Sequence, residues 1–188
     1  MTLRGYAGLL AKNGVGVIPT DTLYGLVGRA QDREVIERIY RLKGRQPNKP
    51  LIILISSFED LSKFKVKADA KTKKVLEKYW PGKVSVILSC PNQEFEYLHR
   101  GTKTLAFRLP DYPELIHLIT QTGPLAAPSA NPEGLPPAKN IKEAREYFGN
   151  EVDFYYTKGI LKSPPSTLIE VRGGKIKVLR EGAVKIKS

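Results

Sequence analysis

The chain has 188 residues, 41% of them apolar and 27% charged, enough to bury a sizeable core and to form one globular domain over 1–188. Its longest unbroken apolar run, Leu51 to Ile55, falls far short of the ~20 residues a membrane-spanning helix needs. The start MTLRGYAGLLAKNG lacks a signal-peptide cleavage pattern, so a soluble cytoplasmic protein with no membrane partner is expected.

Lys and Arg outnumber Asp and Glu by 31 to 19, and the formal charge of +12 favours anionic partners such as nucleic acid or nucleotide phosphates. A solubility-driven or heat-adapted surface explains the same total equally well. Eight lysines between Lys63 and Lys83 read as a solvated helix face with a loop. A second run, from Arg29 to Lys49, flanks a turn and is the better candidate for binding. Lone Cys90, inside VSVILSC, has no disulfide partner or metal-ligand companions and reads as a buried thiol.

In chain order, TLRGYAGLLAKNG has helical apolar spacing and a glycine stop. GVGVIP follows as a short strand. After a loop, Asp32 caps the helix REVIERIYRLK, whose Val35, Ile36, Ile39 and Tyr40 form one stripe and which Gly44 ends. PLIILIS is apolar on both faces, as a strand covered by helices on either side would be. Ser57 with Asp60 forms a capping box for a short helix. A lysine-rich helix over 70–79 stops at WPG, KVSVILSC alternates as a strand, and NQEFEYLHRG reads as loop. TLAFRLP is a further strand with Arg108 near its exit. Pro113 opens the helix PELIHLIT and Gly123 closes it. PLAAP enters the loop SANPEGLPPAKN, and Asn140 with Glu143 caps another helix. The tail STLIEVRGGKIKVLREGAVKI reads as a hairpin across Gly173 and Gly174 followed by a short strand. Strands and helices alternate through two thirds of the chain, which predicts an α/β domain on a twisted mixed sheet with flanking helices.

Familiar catalytic patterns are missing. There is no G-x-x-x-x-G-K-[ST], no G-x-G-x-x-G after a strand and no G-x-S-x-G. The two histidines lack ligand spacing: His117 reads as structural within an apolar helix, His99 lies in predicted loop, and no protein-held metal is expected. What remains are polar residues just after apolar strands, where open α/β sheets place ligands: Thr20 and Thr22, Lys43 and Arg45, Arg108, Ser129 and Asn131, Ser166 and Thr167, and Arg180. Singly, each has a dull explanation as turn, cap or dipole chemistry. Together they make a cationic, hydroxyl-rich pocket without a general-base histidine, suited to a phosphate-bearing ligand and a reaction governed by positioning and charge.

PTDTLYGL, KGR followed by KPL, WPGKVSVIL, LAFRLP, PLAAPSANPEG, STLIEV and VLREG occur in the order found in the YrdC/TsaC family, and the chain resembles an L-threonylcarbamoyladenylate synthase from about residue 5 to 183. The resemblance implies a YrdC-like fold with a deep, positively charged concave face. It also implies condensation of L-threonine, bicarbonate or CO2, and ATP into threonylcarbamoyl-AMP and pyrophosphate. Family members' product is used by partner proteins to build N6-threonylcarbamoyladenosine beside the anticodon of tRNA.

Carried over by motif, the catalytic K-x-R pair falls on Lys43 and Arg45, and S-x-N on Ser129 and Asn131. The resemblance puts L-threonine against Thr22, Arg108, Ser129 and Ser166. It puts ATP against Arg45, Lys49, Thr104, Asn131 and Arg180, with Mg2+ bound mainly through the ATP phosphates. Thr20 and Asp21 read as turn residues that shape the strand exit. The chain departs from long family members in carrying Lys49 where they place asparagine, Leu54 where they place a histidine near the threonine, and REG for the commoner RPG beside Arg180. It is similar to the short, single-domain form. The rival reading is a non-catalytic module binding tRNA or double-stranded RNA through phosphates. A related carbamoyltransferase of hydrogenase maturation, with cysteine-rich zinc modules, fits poorly with a single cysteine.

Overall fold

The computed structural model describes residues 2–46 and 48–186. Nine strands form one mixed sheet in the order β7-β1-β2-β6-β3-β5-β4-β8-β9. They are β1 (Gly16–Pro19), β2 (Tyr24–Arg29), β3 (Ile52–Leu54), β4 (Val84–Ser89), β5 (Thr104–Arg108), β6 (Leu125–Ala126), β7 (Phe154–Tyr155), β8 (Thr167–Arg172) and β9 (Lys175–Arg180). The β1/β7, β3/β5 and β4/β8 pairs are parallel; the other neighbours are antiparallel.

The helices are α1 (Ala7–Ala11), α2 (Arg33–Lys43), α3 (Ala70–Tyr79), α4 (Glu96–His99), α5 (Pro113–Thr122) and α6 (Ile141–Phe148). Local chemistry explains several boundaries. Asp32 Oδ1 accepts from Val35 N at 3.1 Å to start α2, and Gly44, at φ 55°, ends it in the left-handed region. Asn140 Oδ1 accepts from Glu143 N at 3.0 Å while Glu143 Oε1 accepts from Asn140 Nδ2 at 2.7 Å, a reciprocal cap for α6.

The segment after β1 is not loop: β2 folds back on β1 and is buried almost throughout, because Gly28 lets the strand touch α2, where a Cβ would come within 2.4 Å of Val35 Cγ1. NQEFEYLHRG contains a 3-10 turn (Gln93–Phe95) and α4, held by the burial of Phe95 and Leu98. Ser57 gives no side-chain cap to the 3-10 helix Phe58–Phe64; Asp60 Oδ2 accepts instead from Ser56 N and Oγ at 2.7 and 2.8 Å. No strand follows β9 in the described residues. Asn13, at φ 64°, rather than a glycine, takes the left-handed position after α1. His117 is on the exposed side of α5, while His99 is buried and its Nδ1 accepts from Gly101 N.

Sheet register decides which residues share a face. Val86 lies opposite Phe107 and Ile169, and these enter the main core with Phe64, Leu76, Trp80 and Phe95. A second core joins Leu3 and Leu10 to Leu115, Leu118 and Ile119 against Ile18, Val27, Leu54 and Leu125, covering the other face only at the β1–β2–β6–β3 end. The strand β3 is therefore covered on both sides. Across β5, β4 and β8 that second face stays open, and the row Ala106, Ile87 and Glu170 lies there. Alternation is imposed by the pleat, so every second residue of three strands is available to line a cavity.

Candidate functional site

Two of the cavities on the open face adjoin each other. The first, about 170 Å3, is bounded by Thr20, Thr22, Arg108, Ser129, Ser166 and Arg180 among others. The second, about 410 Å3, is bounded by Arg45, Lys49, Thr104, Ala106, Leu168 and Arg180 among others. Ile52, Ser129 and Arg180 belong to both walls, so a group bound in one meets a group bound in the other at these residues.

The β1–β2 turn makes the first wall. Thr20 is its knot: the Oγ1 donates to Leu23 O at 2.8 Å and accepts from Thr22 N and Leu23 N at 3.2 and 3.3 Å. That arrangement presents Thr22 Oγ1 to Arg108, whose Nη1 donates to it at 2.9 Å. Arg108 is 3% exposed, and its Nη2 lies 3.4 Å from Asp21 Oδ1. Burial lowers the guanidinium pKa from its usual range, Asp21 opposes that shift, and Arg180 adds to it. Asp21, read from the sequence as turn chemistry, is thus the counter-charge of the cavity's deepest cation. Its signal was its place between two threonines at a buried strand exit, but nothing local says that residue 108 arrives there.

Ser166 enters from the segment leading into β8. Its Oγ is 2.8 Å from Ser85 Oγ of β4, and Arg180 Nη2 donates to Ser166 O at 2.8 Å. Arg180 in turn carries a pKa lowered by burial and by Arg45. Ser85 is fully buried, and as a lone serine within an apolar strand it carries no motif that marks it in the sequence.

The K-x-R and S-x-N residues divide. Arg45 and Ser129 reach cavity walls, Arg45 with its Nε donating to Lys49 O at 2.9 Å and its Nη2 to Pro50 O at 3.1 Å. Lys43 and Asn131 sit behind those walls. Lys43, 2% exposed, donates to Ser129 O at 2.6 Å and Asn131 O at 2.5 Å, while Asn131 Nδ2 donates to Pro132 O and Leu135 O at 2.8 and 2.7 Å. Burial pushes the Lys43 ammonium down to about 7, Arg45 pushes the same way, and Glu133 opposes. Lys43 therefore ties the end of α2 to the loop that carries Ser129. Lys49 lines the second cavity and is ion-paired to Glu133, whose other oxygen accepts from Gln46 N at 2.7 Å. Leu54 is fully buried in the second core, and the β3 side chain that faces both cavities is Ile52.

Among the described residues no cluster of three or more His, Cys, Asp or Glu gathers as a metal cage, and none of the described helices is long and apolar enough to cross a membrane. Cys90 is buried, and its thiol pKa is raised by that burial.

Fold and site together define an α/β protein with a small hydroxyl- and arginine-lined cavity opening onto a larger cationic one. Residues 8–182 match the Sua5/YciO/YrdC family model, described as "Telomere recombination", and the chain belongs to that family. It is 39% identical over 132 residues to the threonylcarbamoyl-AMP synthase of Bacillus subtilis, covering 69% of this chain but 38% of that protein. Over 170 residues it is 30% identical to a putative threonylcarbamoyl-AMP synthase of Mycobacterium tuberculosis, covering 89% of this chain and 78% of that one. The crystal structure of Pyrococcus abyssi Sua5 complexed with L-threonine superposes with a TM-score of 0.87 at 30% identity, over 95% of this chain and 53% of that one. The chain thus spans about half the length of that solved relative and less of the Bacillus protein.

Proposed function

We propose that the protein is an L-threonylcarbamoyladenylate synthase, taking ATP, L-threonine and bicarbonate or CO2 to threonylcarbamoyl-AMP and pyrophosphate. The observation that carries this reading is the shared wall: Ser129 and Arg180 border both the small cavity and the large one. The names of the relatives and the threonine in the Pyrococcus structure support the same assignment.

In this reading the small cavity takes threonine. Arg108, with Thr22 and Asp21 fixing its direction, holds the carboxylate, while Ser129 and Ser166 contribute hydroxyls. The large cavity takes ATP, with Arg45, Lys49 and Arg180 as phosphate cations and Thr104 on the floor. The threonine nitrogen bonds to the carbon of CO2 and loses a proton, giving a carbamate. One carbamate oxygen then bonds to the α-phosphorus as the bond to the bridging β-phosphate oxygen breaks, and pyrophosphate leaves. Both partners in the second step are anions, so the cationic groups at the junction lower the barrier by offsetting charge, and Arg180 is placed to do so between the two cavities. Lys43 and Asn131 act from behind by fixing the 129–131 loop. The large cavity presents cations and hydroxyls rather than carboxylates, which fits phosphate ligands; Mg2+ in this proposal arrives on the ATP phosphates and supplies further charge neutralisation.

The product would pass to tRNA threonylcarbamoyl-transfer proteins acting on tRNA in the cytoplasm. The test is incubation of purified protein with ATP, Mg2+, bicarbonate and either threonine or serine, following pyrophosphate and the adenylate. Threonine-dependent pyrophosphate with formation of the mixed anhydride is the expected result. Tight, salt-sensitive RNA binding without that turnover would instead establish the non-catalytic module.

A further inference from the structure

We propose that Ser85 sets the hydrogen-bond polarity of Ser166, forcing it to act as a donor toward the ligand, so that the ligand atom facing it is an acceptor oxygen. This rests on the amino-acid reading of the small cavity and adds a specificity-determining residue to it.

A serine hydroxyl has one proton and two acceptor sites. Ser85 is fully buried in β4, and among the described residues its Oγ has a single hydrogen-bond partner, Ser166 Oγ at 2.8 Å. If Ser166 donated to Ser85, the Ser85 proton would be left buried without an acceptor, an arrangement folded proteins avoid. Ser85 is therefore the donor. Arg180 has only protons to offer, and its Nη2 reaches Ser166 Oγ at 3.4 Å besides donating to Ser166 O at 2.8 Å. Both acceptor sites of Ser166 are then occupied, by Ser85 and by Arg180. The only capacity left is its own proton, and Ser166 lines the small cavity. An amine or ammonium placed against Ser166 would meet a donor; an oxygen would be bound.

For an amino acid carrying a hydroxyl, two atoms satisfy this: a carboxylate oxygen, or the side-chain hydroxyl oxygen. The shared chemistry is an acceptor oxygen, and ligand analogues separate the two sources. Ser85→Ala removes the forcing donor while leaving Arg108, Thr22 and the arginines of both cavities untouched. Ser166 is then free to rotate its proton or accept, and its preference for an oxygen falls.

The experiment is calorimetric titration of the full chain and of S85A with L-threonine, L-threoninamide, L-2-aminobutyrate and ATP. S85A is expected to bind threonine about 5- to 20-fold more weakly, with ATP affinity unchanged. The wild-type preference for threonine over one of the two analogues should shrink by about 5-fold, over threoninamide if the carboxylate faces Ser166, over aminobutyrate if the hydroxyl does. Should S85A not fold, S85C, which keeps the side-chain shape at a slightly larger volume and weakens the donor, is measured in its place. Threonine affinity equal to wild type, both analogue ratios unchanged, or equal losses for threonine and ATP would each overturn the assignment of Ser85. Wild-type protein that binds no threonine would overturn the amino-acid reading of the cavity itself, and this proposal with it.

Discussion

Asp21 Oδ1 lies 3.4 Å from Arg108 Nη2, with the two side chains 4% and 3% exposed. Among the described residues neither carboxylate oxygen has a hydrogen-bond partner, and neither does Arg108 Nε. The pair is thus held by charge rather than by hydrogen-bond geometry. Asp21→Asn leaves a buried guanidinium without its counter-charge, and the expected loss in stability is about 3 to 5 kcal/mol. The double variant D21N/R108M should recover part of it. Urea unfolding checks both, and a D21N protein as stable as wild type would show that the two charges do not depend on each other.

Lys43 ordinarily titrates near 10.5 and is pushed to about 7 by burial in the fold. Between those values the unfolded chain keeps the proton that the folded chain has released, so stability rises with pH through this window. The cost of burying the cation is fully present below about pH 7. The slope approaches about 1.4 kcal/mol per pH unit above the folded value. Wild type should therefore gain stability over Lys43→Met by about 1 to 2 kcal/mol between pH 7.5 and 9. Parallel unfolding free energies for the two proteins across that range would mean that Lys43 titrates normally.

Arg45 lines the larger cavity with its guanidinium anchored on Lys49 O and Pro50 O. Arg45→Ala should lower the rate of pyrophosphate release by about 100-fold or more, the usual cost of one charge-stabilising donor, with the circular dichroism spectrum unchanged. Lys43→Ala should match it in rate, because Ser129 O and Asn131 O lose their shared donor. A folded variant with undiminished turnover would remove that residue from the proposed mechanism.

Gly182, in the REG segment, packs directly on the backbone that carries Ser166: a Cβ there would lie 2.3 Å from Pro165 O and 2.6 Å from Ser166 C. The contact is pinned by Ala183 N donating to Pro165 O at 2.9 Å and Thr167 Oγ1 donating to Val184 O at 2.6 Å. Gly182→Ala should cost about 1 to 3 kcal/mol by forcing backbone apart. It should also weaken threonine binding by displacing Ser166. Unfolding and titration together test it; full stability with wild-type threonine affinity would contradict the packing.

The parts of the fold legible in the sequence were those fixed within a few residues. Asp32 and Gly44 bracket α2, Asn140 and Glu143 open α6, and Gly173 with Gly174 turns the β8–β9 hairpin, because each depends on a side chain or φ angle acting on its own neighbours. The strand β2 was hidden because its Gly25 and Gly28 weaken the strand pattern, and the need for Gly28 comes from Val35 of another element. Burial of Phe95 and Leu98 against the core likewise makes α4 out of a segment whose composition reads as loop.

The same division runs through the site. Residue types alone, with their order, marked out Thr22, Arg45, Arg108, Ser129, Ser166 and Arg180, since hydroxyls and cations after apolar strands are local features. Only the tertiary structure decided that Lys43 and Asn131 face each other behind the wall, that Asp21 is the counter-charge of Arg108, and that Ser85 stands beneath Ser166. Those partners are separated by 88, 87 and 81 positions in the sequence, and charge pairing and hydrogen-bond polarity are set by distance in space, which no local pattern records.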